Sequence, residues 1–495
     1  MPYHRVVIIG SGLGGLACGV ILAKNGYQVT VLEQGSQIGG CLQCFTRHGA
    51  KFETGMHIIG SAGEGQTLDR LLRYLEVRKD LTLSQLDPMG YNIVSIGGRQ
   101  FRFANGREAF VSQMADYFPR QRQALERYCD RVQEVADISS PRSMKYADTV
   151  ADFKTDLMLR SINEVIDEVI TDPLLAKVLV GDLPLYAAER DKTPFSTHAF
   201  VMDFYNQSTW RIVGGSDQVA MSLRKTIERY GGEVLPARRV TRIVCDDTHA
   251  TGVEAAEEFI PAEVVISDAH PVRTLELLDS HLIRPAFRQR INNMPQTVGI
   301  FSVYLHFKEE ATPYMNANFF GYTGDTPWGC EVYDEQTWPK GYLYMHLCHE
   351  AQPRYAKTGV ILSYMRMEDV ARWRGTIIGR RGADYEAFKR ERAERLITAV
   401  EREFPGLRGQ LQAYYTSTPL TYLDYTGTAE GSMYGVARDV SLGAACRVPH
   451  RTKVPNVLQT GQNINSHGIL GVIVGAMVTC GELLTPRRIY EGIDN

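Results

Sequence analysis

The sequence predicts an α/β protein: a parallel-sheet core gathered from separated stretches of chain, with an inserted α+β region built on a largely antiparallel sheet. Three observations carry that expectation. Residues 5–32 open the chain with a β-branched run, a glycine-rich turn, an apolar run at helical spacing and a second β-branched run. Glycine-bounded strand and helix segments return at 212–267 and 457–480. Between them, residues 301–350 hold twelve aromatics, far above the 9% of the whole chain, in strands that alternate.

Taken in order, residues 5–9 (RVVII) read as a buried strand bounded by glycine. Gly10-Ser11-Gly12-Leu13-Gly14-Gly15 then fits G-x-G-x-x-G. Leu16, Ala17, Val20, Ile21 and Ala23 continue as a helix, which Asn25-Gly26 breaks. Gln28 to Leu32 is the second strand. Glu33 stands at its end, 18 residues after Gly15 and close to the ~20 of a dinucleotide fingerprint. Each part has a task. Gly10 allows the tight turn, Gly12 lets the backbone approach a pyrophosphate, and Gly15 lets helix and strand close up. The helix N-terminus offers free N–H groups and a partial positive charge to phosphates. Glu33 can accept from the ribose hydroxyls, and its charge disfavours the 2′-phosphate of NADP.

Composition sets the outer limits. The 495 residues are 44% hydrophobic and 22% charged, enough to bury a large core and to exclude intrinsic disorder. At about 100–200 residues per domain, two to four domains are expected. Lys+Arg 54 against Asp+Glu 57 leaves a net charge of −3, so no nucleic-acid partner is expected. Nine cysteines, an odd number without a framework, predict a reducing, cytoplasmic setting. Cys41-Leu-Gln-Cys44 reads as two thiols in a loop, with a redox dithiol as the alternative. No second CxxC completes a zinc site, and no metal is expected. Glycines interrupt the apolar stretch 6–23, and 468–480 falls short of the ~20 residues of a span. Neither export nor a transmembrane helix is expected.

Gly39-Gly40 extends the opening pattern as in flavoproteins of the glutathione-reductase-like fold. No second complete GxGxxG follows, so one dinucleotide must do the chemistry, and FAD is the expected cofactor. Further motifs agree. Phe52-Glu53-Thr54-Gly55-Met56-His57-Ile58-Ile59-Gly60, Ile212-Val213-Gly214-Gly215, Ile266-Ser267-Asp268-Ala269, Thr418-Pro419-Leu420-Thr421, Gly431-Ser432-Met433-Tyr434-Gly435, Val457-Leu458-Gln459-Thr460-Gly461-Gln462 and Gly468-Ile469-Leu470-Gly471 occur in order along the chain. Together they resemble the phytoene desaturase and carotenoid isomerase type of FAD oxidoreductase, and within it the all-trans-retinol 13,14-saturase branch. Two departures stand out. Many relatives have G-G-R where this chain has Gly39-Gly40-Cys41, and others carry G-D where Gln462 adds no negative charge.

The resemblance implies a discontinuous glutathione-reductase-like FAD-binding Rossmann domain (1–75, 210–285 and 430–495) and a substrate-binding domain (76–209 and 286–429). Motif and resemblance together place FAD contacts at Gly10, Gly12, Leu13, Gly14, Gly15, Glu33, Gln34, Gly39, Gly40, Cys41, Val240, Gly461, Gln462, Gly471 and Val472. Residues 107–135 and 384–404 read as helices of the substrate domain. Arg and Glu alternate on the second helix, a solvated face with peripheral membrane contact as the alternative. The aromatic segment 301–350 is either ordinary sheet packing or the wall of an apolar tunnel.

The expected activity is that of an FAD-dependent oxidoreductase on C=C bonds of a hydrophobic polyene, saturating one of them. Redox-neutral isomerisation and desaturation stay open, as do an amine-oxidase-like enzyme and a prenyl-lipid carrier. The electron donor or acceptor is left open. His57 is the candidate catalytic residue, because imidazole titrates near neutrality and saturation needs a proton donor; a structural histidine is the alternative. His467, with Asn463 and Asn465, precedes a helix whose N-terminus at Gly471-Val472 would face the flavin pyrimidine.

Overall fold

The computed structural model describes residues 4–138 and 156–494. Strand β1 (Arg5–Ile9), helix α1 (Leu13–Lys24) and strand β2 (Gln28–Leu32) form the βαβ opening. Glu233–Leu235, β2, β1, Val264–Ser267 and Val457–Gln459 lie in that order in one five-stranded sheet, every pair parallel. The chain winds to one side of β1 first and returns on the other, so the strand order switches beside β1. Ligands of open parallel sheets bind at such a switch, at the carboxyl ends of the strands. Every residue of α1 from Gly14 to Ala23 is buried, because α1 is sandwiched between the sheet and the helices Asp217–Arg229 and Gly468–Gly481. A helix apolar all round is what such a position requires. The opposite face of the sheet is covered by a smaller sheet, Glu258–Pro261, Ala250–Ala255, Val240–Cys245 and Leu278–Asp279.

The second large sheet has seven strands in the order Leu411–Ser417, Gly299–Phe307, Thr358–Met365, Gly341–His346, Asn318–Tyr322, Asn92–Ile96 and Arg99–Phe103. Only Asn318–Tyr322 and Asn92–Ile96 run parallel, so the sheet is largely antiparallel, as the sequence predicts. The helix expected over 107–135 forms as Arg107–Tyr117 and Arg122–Ile138, divided at Pro119. That expected over 384–404 forms as Ala383–Glu401. Both faces of the sheet are covered. Leu396, Ile397 and Val400 pack with Phe301, Phe319, Trp338 and Tyr344 on one. Phe110, Leu125 and Phe195 pack with Phe320, Leu343 and Val360 on the other. Each such buried side chain contributes about 1.5–3 kcal/mol.

A three-stranded sheet, Ile59–Gly60, Thr209–Ile212 and Leu83–Gln85, joins the end of the 52–60 motif to the segments around residues 83 and 210. Among the described residues no helix is long and apolar enough to cross a membrane.

Candidate functional site

The glycine-rich turn has the geometry its residues dictate. Gly10 takes φ +97°, a left-handed conformation that favours glycine. Gly12 is extended and caps α1 without a side-chain bond, so the first N–H groups of the helix are left for other acceptors. A Cβ on Gly15 would lie 2.2 Å from the Gly10 carbonyl oxygen, so only glycine lets α1 close onto β1. Glu33 is buried and bonded. One oxygen accepts from the Ser11 N–H at 3.0 Å and the Ser11 hydroxyl at 2.7 Å, the other from the Gly35 N–H at 2.7 Å. Gly39 takes φ +111° and donates to the Ser11 carbonyl at 3.0 Å, which lays the 39–42 loop across the turn.

A single cavity of about 2160 Å³ runs from this turn into the second sheet. Gly10, Gly12, Leu13, Gly14, Glu33, Gln34, Gly39, Gly40, Cys41, Val240, Gly461, Gln462, Gly471 and Val472 all border it, and so does His57. Gly15 alone of the expected residues does not, in keeping with its packing task. Drug-sized ligands occupy roughly 300–1,000 Å³, so the cavity has room for a dinucleotide and a second ligand together. The residues present fit FAD: a helix N-terminus, a glycine turn without side chains of its own and an acid at the end of β2 border the space.

His57 borders the same cavity. Its Nδ1 is 3.5 Å from Glu53 Oε2, and both side chains are buried. Its carbonyl accepts from Arg211 Nη1 at 3.1 Å. Arg211 is itself 2% exposed and donates on to the Ala317 carbonyl at 3.2 Å and Asn318 Oδ1 at 2.8 Å. This cation pins the His57 loop to the seven-stranded sheet. The loop before the last long helix is also held. Asn463 Oδ1 accepts from the Val436 N–H at 2.9 Å, and Arg438 donates to the Asn465 carbonyl at 2.9 Å. His467 lies against Tyr434 with ring centroids 4.3 Å apart, and burial pushes its imidazole down to about 4, so it is neutral at pH 7. Gly468 to Val472, the first turn of Gly468–Gly481, faces the cavity and brings its partial positive charge there.

The structure bears on two readings that the sequence leaves open. Cys41 borders the cavity and Cys44 does not, and neither is in a disulfide. Burial raises Cys41 to about 11 and Cys44 to about 12, so both stay protonated thiols, against the redox alternative. Of the twelve aromatics at 301–350, only Tyr322 and Tyr342 border the cavity. The rest serve sheet packing, because both faces of that sheet are covered. The apolar wall comes instead from Leu185, Phe200, Val201, Leu362, Tyr364 and Tyr422. Asp268, at the carboxyl end of the strand beside β1, also borders the cavity. Its place at the strand-order switch is the signal that marks it, and reading it as a plain strand end missed it.

The model of a known family, flavin containing amine oxidoreductase, matches residues 13–478. The all-trans-retinol 13,14-reductase of Rattus norvegicus is 27% identical over 98% of this chain and 86% of its own length. The lycopene-forming phytoene desaturase of a Paracoccus species is 23% identical over 97% of both chains. Among solved structures, an oxidoreductase from Methanosarcina mazei superposes with a TM-score of 0.65 at 16% identity, over 96% of this chain and 99% of its own.

Proposed function

Because the chain belongs to the flavin-containing amine oxidoreductase family and is thereby an FAD-dependent oxidoreductase, we propose that it saturates one C=C bond of a hydrophobic polyene of retinoid or carotenoid type. The observation that carries this reading is the continuity of one cavity from the glycine turn, past His57, to an apolar wall. The relatives named for retinol reduction and phytoene desaturation support the polyene class.

In this reading the segments 1–75, 210–285 and 430–495 hold FAD, and 76–209 with 286–429 hold the substrate. The N–H groups at the start of α1 would hold the phosphates, the remaining lone pairs of Glu33 the ribose and Val240 the adenine. Gly461, Gln462 and the first turn of Gly468–Gly481 would hold the isoalloxazine. FAD held there supplies hydride transfer at its N5. Glu53 faces Nδ1 of His57 and leaves Nε2 to hold the proton that the second carbon of the bond requires. The apolar wall excludes water and orients the polyene.

The mouth of the cavity suits a ligand drawn from a membrane. Residues 374–380 are all exposed, Ile377 by 67% and Ile378 by 49%, and Ile378 borders the cavity. The exposed Arg372 and Arg380 flank the pair, an arrangement that fits peripheral contact with an anionic bilayer.

The test is anaerobic. The enzyme is reduced chemically, retinol or a carotenoid is added, and flavin reoxidation and products are followed. Reoxidation with a product two mass units heavier is expected. Geometric isomers with the flavin still reduced would replace saturation by isomerisation, and no reaction with any polyene would overturn the substrate class.

A further inference from the structure

The glycine turn is bare of side chains, yet its space is not open. The Asp268 carboxylate stands in it. A Cβ on Gly12 would lie 2.4 Å from Asp268 Oδ2, and a Cβ on Gly14 or on Gly461 would lie 2.5 Å from Oδ1. Three glycines from two distant segments therefore make room for one acid. The N–H groups of Gly15 and Gly12 are directed at that same carboxylate. These donors belong to the positive end of α1, the end that a pyrophosphate needs.

We propose that Asp268 is a cofactor-contact residue that carries a proton while the FAD pyrophosphate is seated, so that FAD binding takes up one proton. The inference rests on the FAD reading of this crevice and deepens it. An ionised carboxylate and a pyrophosphate at one helix terminus repel each other, and like charges that share a site raise the weaker acid. A protonated carboxyl removes the repulsion and donates a hydrogen bond to a phosphate oxygen.

Among the described residues no cationic group acts on Asp268. Glu33, at the end of β2, adds negative charge. Cys41, in the loop over the turn, is held as a neutral thiol. On the segment after Asp268, burial pushes His270 down to about 4, so it is uncharged, and Arg273 is engaged by Glu276. Burial, with the charge of Glu33 behind it, already lifts Asp268 to about 7. The proton is therefore taken up at physiological pH.

The measurement is calorimetric titration of FAD into the full-length apoprotein at pH 7.5 in two buffers of different ionisation enthalpy. It is joined by Kd values from flavin fluorescence between pH 6 and 9. Proton uptake approaching one per FAD is expected, with Kd rising up to about tenfold per pH unit above 7. Asp268→Asn should flatten that profile and hold FAD at least tenfold better than the wild type at pH 8.5. Zero proton uptake with a flat wild-type profile, or an Asn variant that keeps the wild-type slope, overturns the inference. The wild-type calorimetry decides even if the variant does not fold. Apoprotein that takes up FAD at no pH removes the site reading and the inference together.

Discussion

Gly15→Ala sets two opposed effects against each other at one position. Alanine inside a helix is favoured over glycine by about 1 kcal/mol. At Gly15 the added Cβ meets the Gly10 carbonyl oxygen at 2.2 Å, a backbone atom that cannot rotate away. Carbon and oxygen settle at about 3.3 Å, so α1 must lift from β1 by about 1 Å. Gly10 cannot yield instead, because its N–H is bonded to the Leu32 carbonyl at 2.8 Å. Overpacking of this kind costs about 1–3 kcal/mol, and the loss outweighs the gain in helix propensity. A net destabilisation of up to about 2 kcal/mol is expected, together with loss of FAD, since the helix N-terminus moves with the helix. Gly409→Ala is the control, as nothing lies within 4 Å of its Cβ position. Thermal unfolding followed by circular dichroism, with FAD counted per chain, reads both effects. A Gly15→Ala protein as stable as wild type and fully loaded with FAD would refute the close-packing argument.

Three further outcomes are expected. His57→Ala should keep its FAD absorbance near 450 nm and slow turnover by 10²-fold or more, the usual worth of a positioned proton donor; unchanged turnover would make His57 structural. Asp182 is enclosed, with one oxygen 3.4 Å from Asn92 Nδ2 and the other without a partner, and burial lifts it from 3.8 to about 7. The folded chain thus holds a proton that the unfolded chain releases, and stability falls as pH rises through that window. Asp182→Asn should match wild type in unfolding free energy near pH 4 and exceed it by up to about 4 kcal/mol at pH 8; a difference that does not grow with pH would contradict the assignment. Replacing Ile377 and Ile378 by serine should abolish flotation with anionic vesicles while leaving thermal unfolding unchanged; equal flotation of both proteins would remove that loop from the membrane contact.

What could be read from the sequence follows the range of each interaction. The turn from Gly10 to Gly15 and the acid at Glu33 are legible because a tight turn and a strand end are specified by neighbours in the chain. Val240, Gly461 and Gly471 reach the cavity only through the sheet order, and a resemblance had to stand in for it. Arg211 gives no local sign. Its worth lies in carbonyls at 57 and 317, brought together by two different sheets. The aromatic segment stays open between packing and tunnel wall in the sequence for a physical reason: alternation marks a strand but does not say what covers each face. The helix Ala383–Glu401 claims one face, and the helices around Leu125 and Phe195 claim the other.

The grip of Arg211 has a mechanical side. One guanidinium clasps both the backbone of His57 and the strand that begins at Asn318, so the imidazole and that stretch of sheet travel as a unit. Under the proposed reading, a ligand that displaced that strand would displace the His57 loop with it, so that fit against the sheet would be felt at the imidazole.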